Sequence, residues 1–504
     1  MTEKNTRVNI PPEPIFILKT LKSKGYEAYI VGGAVRDMLL AAGSDDLHVA
    51  ATDFDFTTNA TPEQILELFP GSFYENEFGM VAVPDKHLKE MMGVQTEPAT
   101  SDSKLAAKNQ VIQLDTATKS HASLQPKETQ TDEFFHQKNY EITTYRSEGV
   151  YSDHRRPDQV TWGKSIEEDL KRRDFTMNAI AMDYSDDDYT LIDPFHGQLD
   201  LEKHLIKTVG EPAERFEEDA LRMLRAVRFS VQLNMKMTDE AFAAISALAA
   251  QIQEVSWERV RDEFLKMLSS NFPAEAIELL DDTGLLQYVL PEILEGKGVE
   301  QGGHHTTDVW THSIDALRNC PSPDPIVRLA TLLHDVAKPR TYKLLNGKPT
   351  FYNHEIVGSR MAKEIAQRLR LSKHDIDRIF ALVRYHMFYY QPENTDASIR
   401  RFMRKVGLEN INDILDVREA DRLGSGARET SWRLEEMKDR MVEQLHQPFS
   451  VTDLEVDGND LMSELNLKPG RQLGEILKAL FEKVLDNPEL NTRENLLKEA
   501  KEML

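Results

Sequence analysis

Two aspartates one residue apart, in Asp53-Phe54-Asp55-Phe56, offer the first chemistry in this sequence. On a strand the side chains alternate, so both carboxylates face one way and both phenylalanines the other. Hard oxygen donors at that spacing suit Mg²⁺. Two such ions ~3.5–4 Å apart serve phosphoryl transfer, one at the attacking hydroxyl and one at the departing pyrophosphate. Glu141, on a later strand, is the candidate third carboxylate. An isolated D-x-D more often marks a strand end or a turn. Here it follows Val31-Gly32-Gly33-Ala34-Val35-Arg36-Asp37. Glycines at a strand-to-helix junction let backbone N–H groups and the helix N-terminus come close to phosphate oxygens.

A second set lies in Glu218-Asp219-Ala220-Leu221-Arg222, with Arg225 and Arg228 continuing the row. If Glu218 to Phe229 is one helix, Asp219 and Arg222 share a face, an acceptor beside a donor. Cytosine and adenine both present an amine donor next to a ring-nitrogen acceptor, whereas uracil and guanine present the reverse, so the pair would accept C and A. The commoner meaning of D-x-x-R on a helix is a weak surface ion pair. A third set combines His312, the doublet His334-Asp335 and Asp421, with His354 and His386 as further candidates. Imidazole with carboxylate suits Mn²⁺, Fe²⁺, Ni²⁺, Co²⁺ or Mg²⁺ for activating water towards a phosphoester. A lone histidine on an apolar helix is usually a core residue, but these come as a group.

The elements that must position these groups begin as alternating strands and helices. The pattern predicts strands at 28–31, 53–56, 80–83 and 140–145, and a helix from Ala34 to Ala41. Another helix runs from Pro62 through Phe69, with Thr61 as its N-cap. Residues 85–138 are polar and aperiodic, an expected disordered insertion in a hairpin connection. From about Glu211 onward the apolar spacing is helical almost to the end, around Leu221, Leu224 and Phe229 and again around Leu329, Leu332 and Leu333. In the tail, Lys468-Pro469-Gly470-Arg471 opens a helix through Phe481.

Gly-Gly-Ala-Val-Arg-Asp followed by Asp-Phe-Asp-Phe-Thr-Thr resembles the signature of class II tRNA nucleotidyltransferases and bacterial poly(A) polymerases, within the polymerase β superfamily. Arg172-Arg173-Asp174-Phe175-Thr176-Met177-Asn178-Ala179 resembles that family's ribose-recognition motif. Asp193-Pro194-Phe195-His196-Gly197 resembles its hinge motif, and Glu218 to Arg222 its base-reading motif. Glu258-Arg259-Val260-Arg261-Asp262-Glu263 resembles the last motif, read as a bracing ion network. The resemblance implies template-independent addition of CCA to the 3′ end of tRNA from CTP and ATP, with Mg²⁺ on Asp53 and Asp55. It also implies that Asp174 and Asn178 choose ribose and that Arg173, with Gly32, Gly33 and Arg36, approaches the triphosphate. Residues 148–160, with Arg155-Arg156, occupy the place of the flexible loop that enzymes adding the terminal A possess. The histidine and aspartate group is similar to the HD-type phosphohydrolase site fused behind such enzymes.

The expected fold class is an α/β nucleotidyltransferase head followed by an all-α neck, HD body and tail. The expected boundaries are 1–210 for the head, 211–270 for the neck, 271–425 for the HD domain and 426–504 for a tRNA-binding tail. A chain of 504 residues is long enough for several such cores. With 85 acidic against 61 basic side chains the net charge is −24, which discourages binding of arbitrary polyanions. Local clusters at Arg155-Arg156, Lys171-Arg172-Arg173 and the Arg222, Arg225, Arg228 row point to selective RNA binding. No apolar stretch approaches the ~20 residues of a membrane span. The N-terminus lacks a secretory pattern and Cys320 has no second cysteine to pair with, so the expected location is the cytoplasm. The rivals are an A-only tRNA enzyme or a poly(A) polymerase, and, from another class, an HD phosphohydrolase with a vestigial head.

Overall fold

The computed structural model describes residues 10–42, 53–76, 80–94, 139–146, 162–185, 188–302, 307–428 and 431–504. The chain divides into two compact units. One comprises residues 1–256 with 282–288; the other comprises 257–281 with 289–504. Among the described residues no helix is long and apolar enough to cross a membrane.

The first unit is built on a mixed seven-stranded sheet. Its strands are β1 (Ala28–Val31), β2 (Asp55–Thr58), β3 (Phe73–Asn76), β4 (Met80–Pro84), β5 (Asn139–Thr144), β6 (Ala181–Ser185) and β7 (Asp188–Ile192). Their order is β3-β4-β5-β2-β1-β6-β7. Alternation fixes which way β5 faces: Tyr140, Ile142 and Thr144 are buried while the residues between them are not. β1 runs antiparallel to β2, with Val31 opposite Asp55, and β2 runs parallel to β5, with Asp55 opposite Glu141. Val31, Tyr145, Ile166, Leu170, Ala179, Ala181 and Val209 form one core cluster under this sheet.

Helix Pro62–Leu68 starts where expected. Thr61 accepts the N–H of Gln64 while the Gln64 side chain accepts the N–H of Thr61, a reciprocal cap with proline in the first turn. Helix Gly33–Ala42 follows β1 directly through Gly32 at φ 74°. Only glycine takes that conformation without steric cost, so the tight junction requires it.

Several expectations need correction. The ordered strand at the aspartate pair begins at Asp55 rather than Asp53. The polar segment opens with a helix, Asp85–Met91, anchored by the single buried residue Leu88. One apolar contact leaves no periodicity to read. Residues 95–138 and the loop 148–160 lie outside the described residues. Strand β6 escaped the pattern because its buried residues are consecutive, and β7 because none of its residues is buried; β3 went unread as well. Helix Pro212–Glu218 stops at Asp219, which is extended at φ −150° and ψ 101°, and a new helix runs Leu221–Gln232.

Among its described residues the second unit is helical except for a small hairpin, Lys343–Leu345 with Lys348–Thr350. Helices Val309–Arg318, Pro325–Leu333, His354–Arg368, Lys373–Tyr385 and Ile411–Gly424 pack together and carry the histidine and aspartate group between them. The last helices, Gly458–Leu465, Arg471–Asp486 and Arg493–Glu502, bury their own cluster around Leu461, Leu480, Phe481 and Leu496.

Candidate active site and metal cage

The sheet register brings the head carboxylates together. Asp55 and Glu141 are opposite one another on adjacent strands, and Asp53 precedes Asp55 on the same chain face while Phe54 and Phe56 are buried. Gly32 sits against them: a Cβ there would lie 3.4 Å from Asp55 Oδ2 and 3.2 Å from Arg173 Nη1. Burial raises the Asp55 pKa, Arg173 pulls it down, and Asp53 pushes it up again. A carboxylate raised by burial with a second one beside it forms a site whose charge balance calls for a cation. Arg173 is held in place by Asp169, 3.1 Å from Nη2. Asp169 is fully buried and also binds Arg172 at 2.7 Å. Sequence reading missed Asp169, although an acidic residue one helical turn before an Arg pair is the available signal.

Asp174, Asn178, Arg36 and Arg225 form one chain of hydrogen bonds. Arg36 Nη1 donates to Asn178 Oδ1 at 2.9 Å, Asn178 Nδ2 donates to Asp174 Oδ1 at 3.1 Å, and Arg225 Nε donates to Asp174 Oδ2 at 2.7 Å. Asp174 also accepts the N–H of Phe175 at 2.8 Å. Burial would raise the Asp174 pKa, but Arg225, the Asn178 hydrogen bond and Arg222 bring it down to about 2. Arg36, Arg225 and Arg228 converge on the Phe229 ring, at 5.1, 5.3 and 4.1 Å from its centre. Phe229, read from sequence only as a core residue, thus organises three cations.

Asp219 and Arg222 do not lie on one continuous helix. Asp219 Oδ1 accepts the N–H of Leu221 at 3.1 Å and its backbone carbonyl accepts that of Arg222 at 2.9 Å. A side chain that caps the next helix competes with the one before it, which is why the helix breaks here. Arg222 pairs with Glu218 at 2.5 Å and donates to the carbonyls of Arg215 and Arg172 at 3.0 and 3.1 Å. The expected acceptor and donor are therefore neighbours across a helix junction, with Glu218 fixing the guanidinium.

In the helical unit, the sequence-predicted donors do meet. Among the described residues, His312, His334 and Asp335 form one group with ligand atoms all within 4.8 Å, and Asp335, His354 and His386 form another. Asp335 bridges them: Oδ2 is 3.3 Å from His312 Nε2 and 3.1 Å from His334 Nε2, and Oδ1 is 3.3 Å from His354 Nε2 and 3.7 Å from His386 Nε2. Asp421 Oδ1 lies 3.2 Å from His312 Nε2. Nδ1 of His334, His354 and His386 contacts the carbonyls of Thr331, Phe351 and Val383 at 2.6, 2.8 and 2.8 Å. A proton on each Nδ1 turns the Nε2 lone pairs inward, as ligating imidazoles require. Lys338, which sequence reading missed, lies 2.5 Å from Asp335 Oδ2. Burial alone would lower the His334 pKa, but Asp335 and Asp421 raise it to about 10; burial and the charge on His334 push His386 down to about 3. Side chains of one kind with such opposed affinities for a proton mark a site where charge is concentrated.

Comparison with known proteins agrees with both the order of the motifs and the fold. The sequence profile of the Poly A polymerase head domain matches residues 28–119 and 101–207. That of an RNA and SrmB binding site of polymerase A matches 234–296, and that of tRNA nucleotidyltransferase domain 2 matches 354–500. The chain is 30% identical over 519 aligned positions to a CCA-adding enzyme of Ligilactobacillus salivarius, covering 98% of each. It is 36% identical over 340 residues to an A-adding tRNA nucleotidyltransferase of Deinococcus radiodurans, covering 64% of this chain and 76% of the other. The crystal structure of the Bacillus stearothermophilus CCA-adding enzyme in complex with CTP is similar at a TM-score of 0.65 and 27% identity, with 98% of each chain covered. From the glycine turn and aspartate pair to the helical body, the chain belongs to the family of class II CCA-adding enzymes and poly(A) polymerases.

Proposed function

We propose that this protein adds CCA to the 3′ end of tRNA without a nucleic-acid template, using CTP and ATP. The observation that carries this reading is the register placing Glu141 opposite Asp55, beside Gly32 and Arg173. Asp53, Asp55 and Glu141 would hold Mg²⁺. When bound, the metal supplies charge neutralisation at the triphosphate and a more acidic attacking hydroxyl. The tRNA 3′-oxygen forms a bond to the α-phosphorus, and the bond from α-phosphorus to pyrophosphate breaks. Gly32 and Gly33 let the phosphates approach the backbone, while Arg36, Arg173, Arg225 and Arg228 balance their charge. Asp174 and Asn178 hold one another for recognition of the ribose. Asp219 and Arg222 read the pairing edge, and Glu218 orients the guanidinium. A wrong base would leave buried polar groups unpaired, at ~1–3 kcal/mol for each neutral group.

The cage supports a second activity in the same chain. Its imidazoles and carboxylates fit a divalent ion such as Mn²⁺, Fe²⁺, Ni²⁺, Co²⁺ or Mg²⁺, bound by His312, His334, Asp335 and Asp421 with His354 and His386 available for a second ion. Bound metal would supply an activated water for phosphoester hydrolysis. We assign residues 1–210 to the head, 211–270 to a nucleotide-recognising neck, 271–425 to an HD-type domain and 426–504 to a tRNA-binding tail, working in the cytoplasm.

The test uses Mg²⁺ and three tRNAs, ending before CCA, after C and after CC, each supplied with CTP, ATP or both. Sequenced 3′ ends should read CCA from the bare tRNA when both nucleotides are present. Addition of A only to the CC-ended tRNA would replace this reading by an A-only enzyme. Silence on all three would remove the nucleotidyltransferase assignment.

A further inference from the structure

Beside the cage the helical unit carries a groove of ≈ 260 Å³ lined by Phe388, Tyr389, Arg418, Arg422, Trp432 and Arg433, among others. Two of its aromatic side chains are displayed rather than packed: Tyr389 is 77% exposed and Trp432 62%. Large apolar groups held in water beside one another mark a binding surface more often than a packing defect. The cations are already arranged against rings. Arg433 lies 5.2 Å from the centre of Trp432, and Arg418 lies 5.7 Å from the centre of Phe388. In a chain of net charge −24, three arginines around one aromatic groove are a local reversal of sign.

The groove and the cage are built on the same elements. Arg418, Asp421 and Arg422 stand on one helix, and Phe388 and Tyr389 come two and three residues after His386 in the chain. Asp421 joins the two sites through a single carboxylate, with Oδ1 3.2 Å from His312 Nε2 and Oδ2 2.8 Å from Arg418 Nη1. Aromatic faces accept any nucleobase by stacking, and guanidinium groups bind phosphate through paired N–H donors. We infer that this groove is a nucleotide subsite that stacks the end of a single-stranded nucleic acid and sets its terminal phosphate at the mouth of the cage. Trp432 and Tyr389 hold the base, Arg433 and Arg422 meet the phosphate, and Arg418 keeps Asp421 aligned between groove and cage. The role as a delivery site rests on reading the cage as a phosphoester-handling centre; the binding itself does not.

The full chain would be titrated with a five-nucleotide RNA ending in a 3′-phosphate, the same RNA ending in a 3′-hydroxyl, and adenosine 5′-monophosphate. Tryptophan fluorescence would be followed, and the metal content of each sample measured by elemental analysis. The phosphorylated RNA should quench the wild-type fluorescence. Trp432→Leu should remove most of that quenching and weaken binding about tenfold, the scale of one lost stacking contact. Arg433→Gln should erase the preference for phosphate over hydroxyl. Tyr389→Leu, also at an exposed position, gives an independent check, and thermal melts establish that each variant is folded. Equal binding of the mononucleotide would identify a free nucleotide as sufficient ligand, and binding of the RNA alone would identify the strand end. Folded Trp432→Leu and Tyr389→Leu proteins that bind every probe as wild type does would overturn the subsite. Wild-type samples that bind the RNA through the groove yet retain no cage metal would overturn the metal reading and leave the subsite standing.

Discussion

At the scale of the residue, Asp174 shows how a buried acid is kept ionised inside the head. Its pKa falls to about 2 because Arg225 and the Asn178 hydrogen bond outweigh burial. An acid depressed in the folded state contributes stability that is full above its unfolded pKa of ~3.9 and is lost as pH falls towards the folded value, here about 2 kcal/mol in total. Urea melts of wild type and Asp174→Asn should therefore differ by about that amount at pH 6 and converge towards pH 2. A difference that stays constant with pH would rule out the ionic cause. Asp55 has the opposite balance, since burial raises its pKa. Asp55→Asn is expected to abolish nucleotide addition while melting no lower than wild type in the presence of a chelator; a collapsed melt would make its role structural. The aspartate pair was legible in sequence because alternation on a strand needs no tertiary knowledge. Asp169 and Glu218 were not singled out, since their work is to hold Arg173 and Arg222, and ion pairs of that kind have no spacing unique to function.

At the scale of the element, two close approaches depend on glycine. Gly32 joins β1 to the following helix at φ 74° with Asp55 and Arg173 within 3.4 Å of a would-be Cβ. Gly32→Ala should cost about 1–2 kcal/mol in stability from the backbone alone, and should reduce nucleotide addition by displacing Arg173; unchanged kinetics would detach this turn from the site. In the body, a Cβ on Gly424 would meet the backbone N of Ala316 at 2.7 Å. Helix Ile411–Gly424 carries Asp421 and helix Val309–Arg318 carries His312, so forcing them apart acts on the cage directly. Gly424→Ala should lower stability by about 1–3 kcal/mol through overpacking and reduce divalent-metal retention, both read on one sample by melting and elemental analysis. Retained metal in a destabilised protein would show that the cage tolerates the shift. The helix break at Asp219 could not be read from the chain pattern. Its apolar spacing continues across the junction, and only the cap made by Asp219 on Leu221 reveals that two helices meet there.

At the scale of the whole molecule, the two candidate sites belong to different compact units, each with its own donors. Substitutions in independent regions should act separately. His354→Gln is therefore expected to lower metal retention while leaving CCA addition within about twofold of wild type; parallel loss of both would show that the units are coupled. The amino-acid sequence by itself determined the order of motifs, the α/β head followed by helices, and the residue types of both sites. Those follow from local periodicity, glycine junctions and donor chemistry, all carried within short stretches of chain. Tertiary structure alone decided that Glu141 faces Asp55, that Arg36 reaches Asn178, and that Asp335 stands between two histidine groups. These pairings join residues far apart in the chain, and what selects them is strand register and helix packing, which no local pattern records.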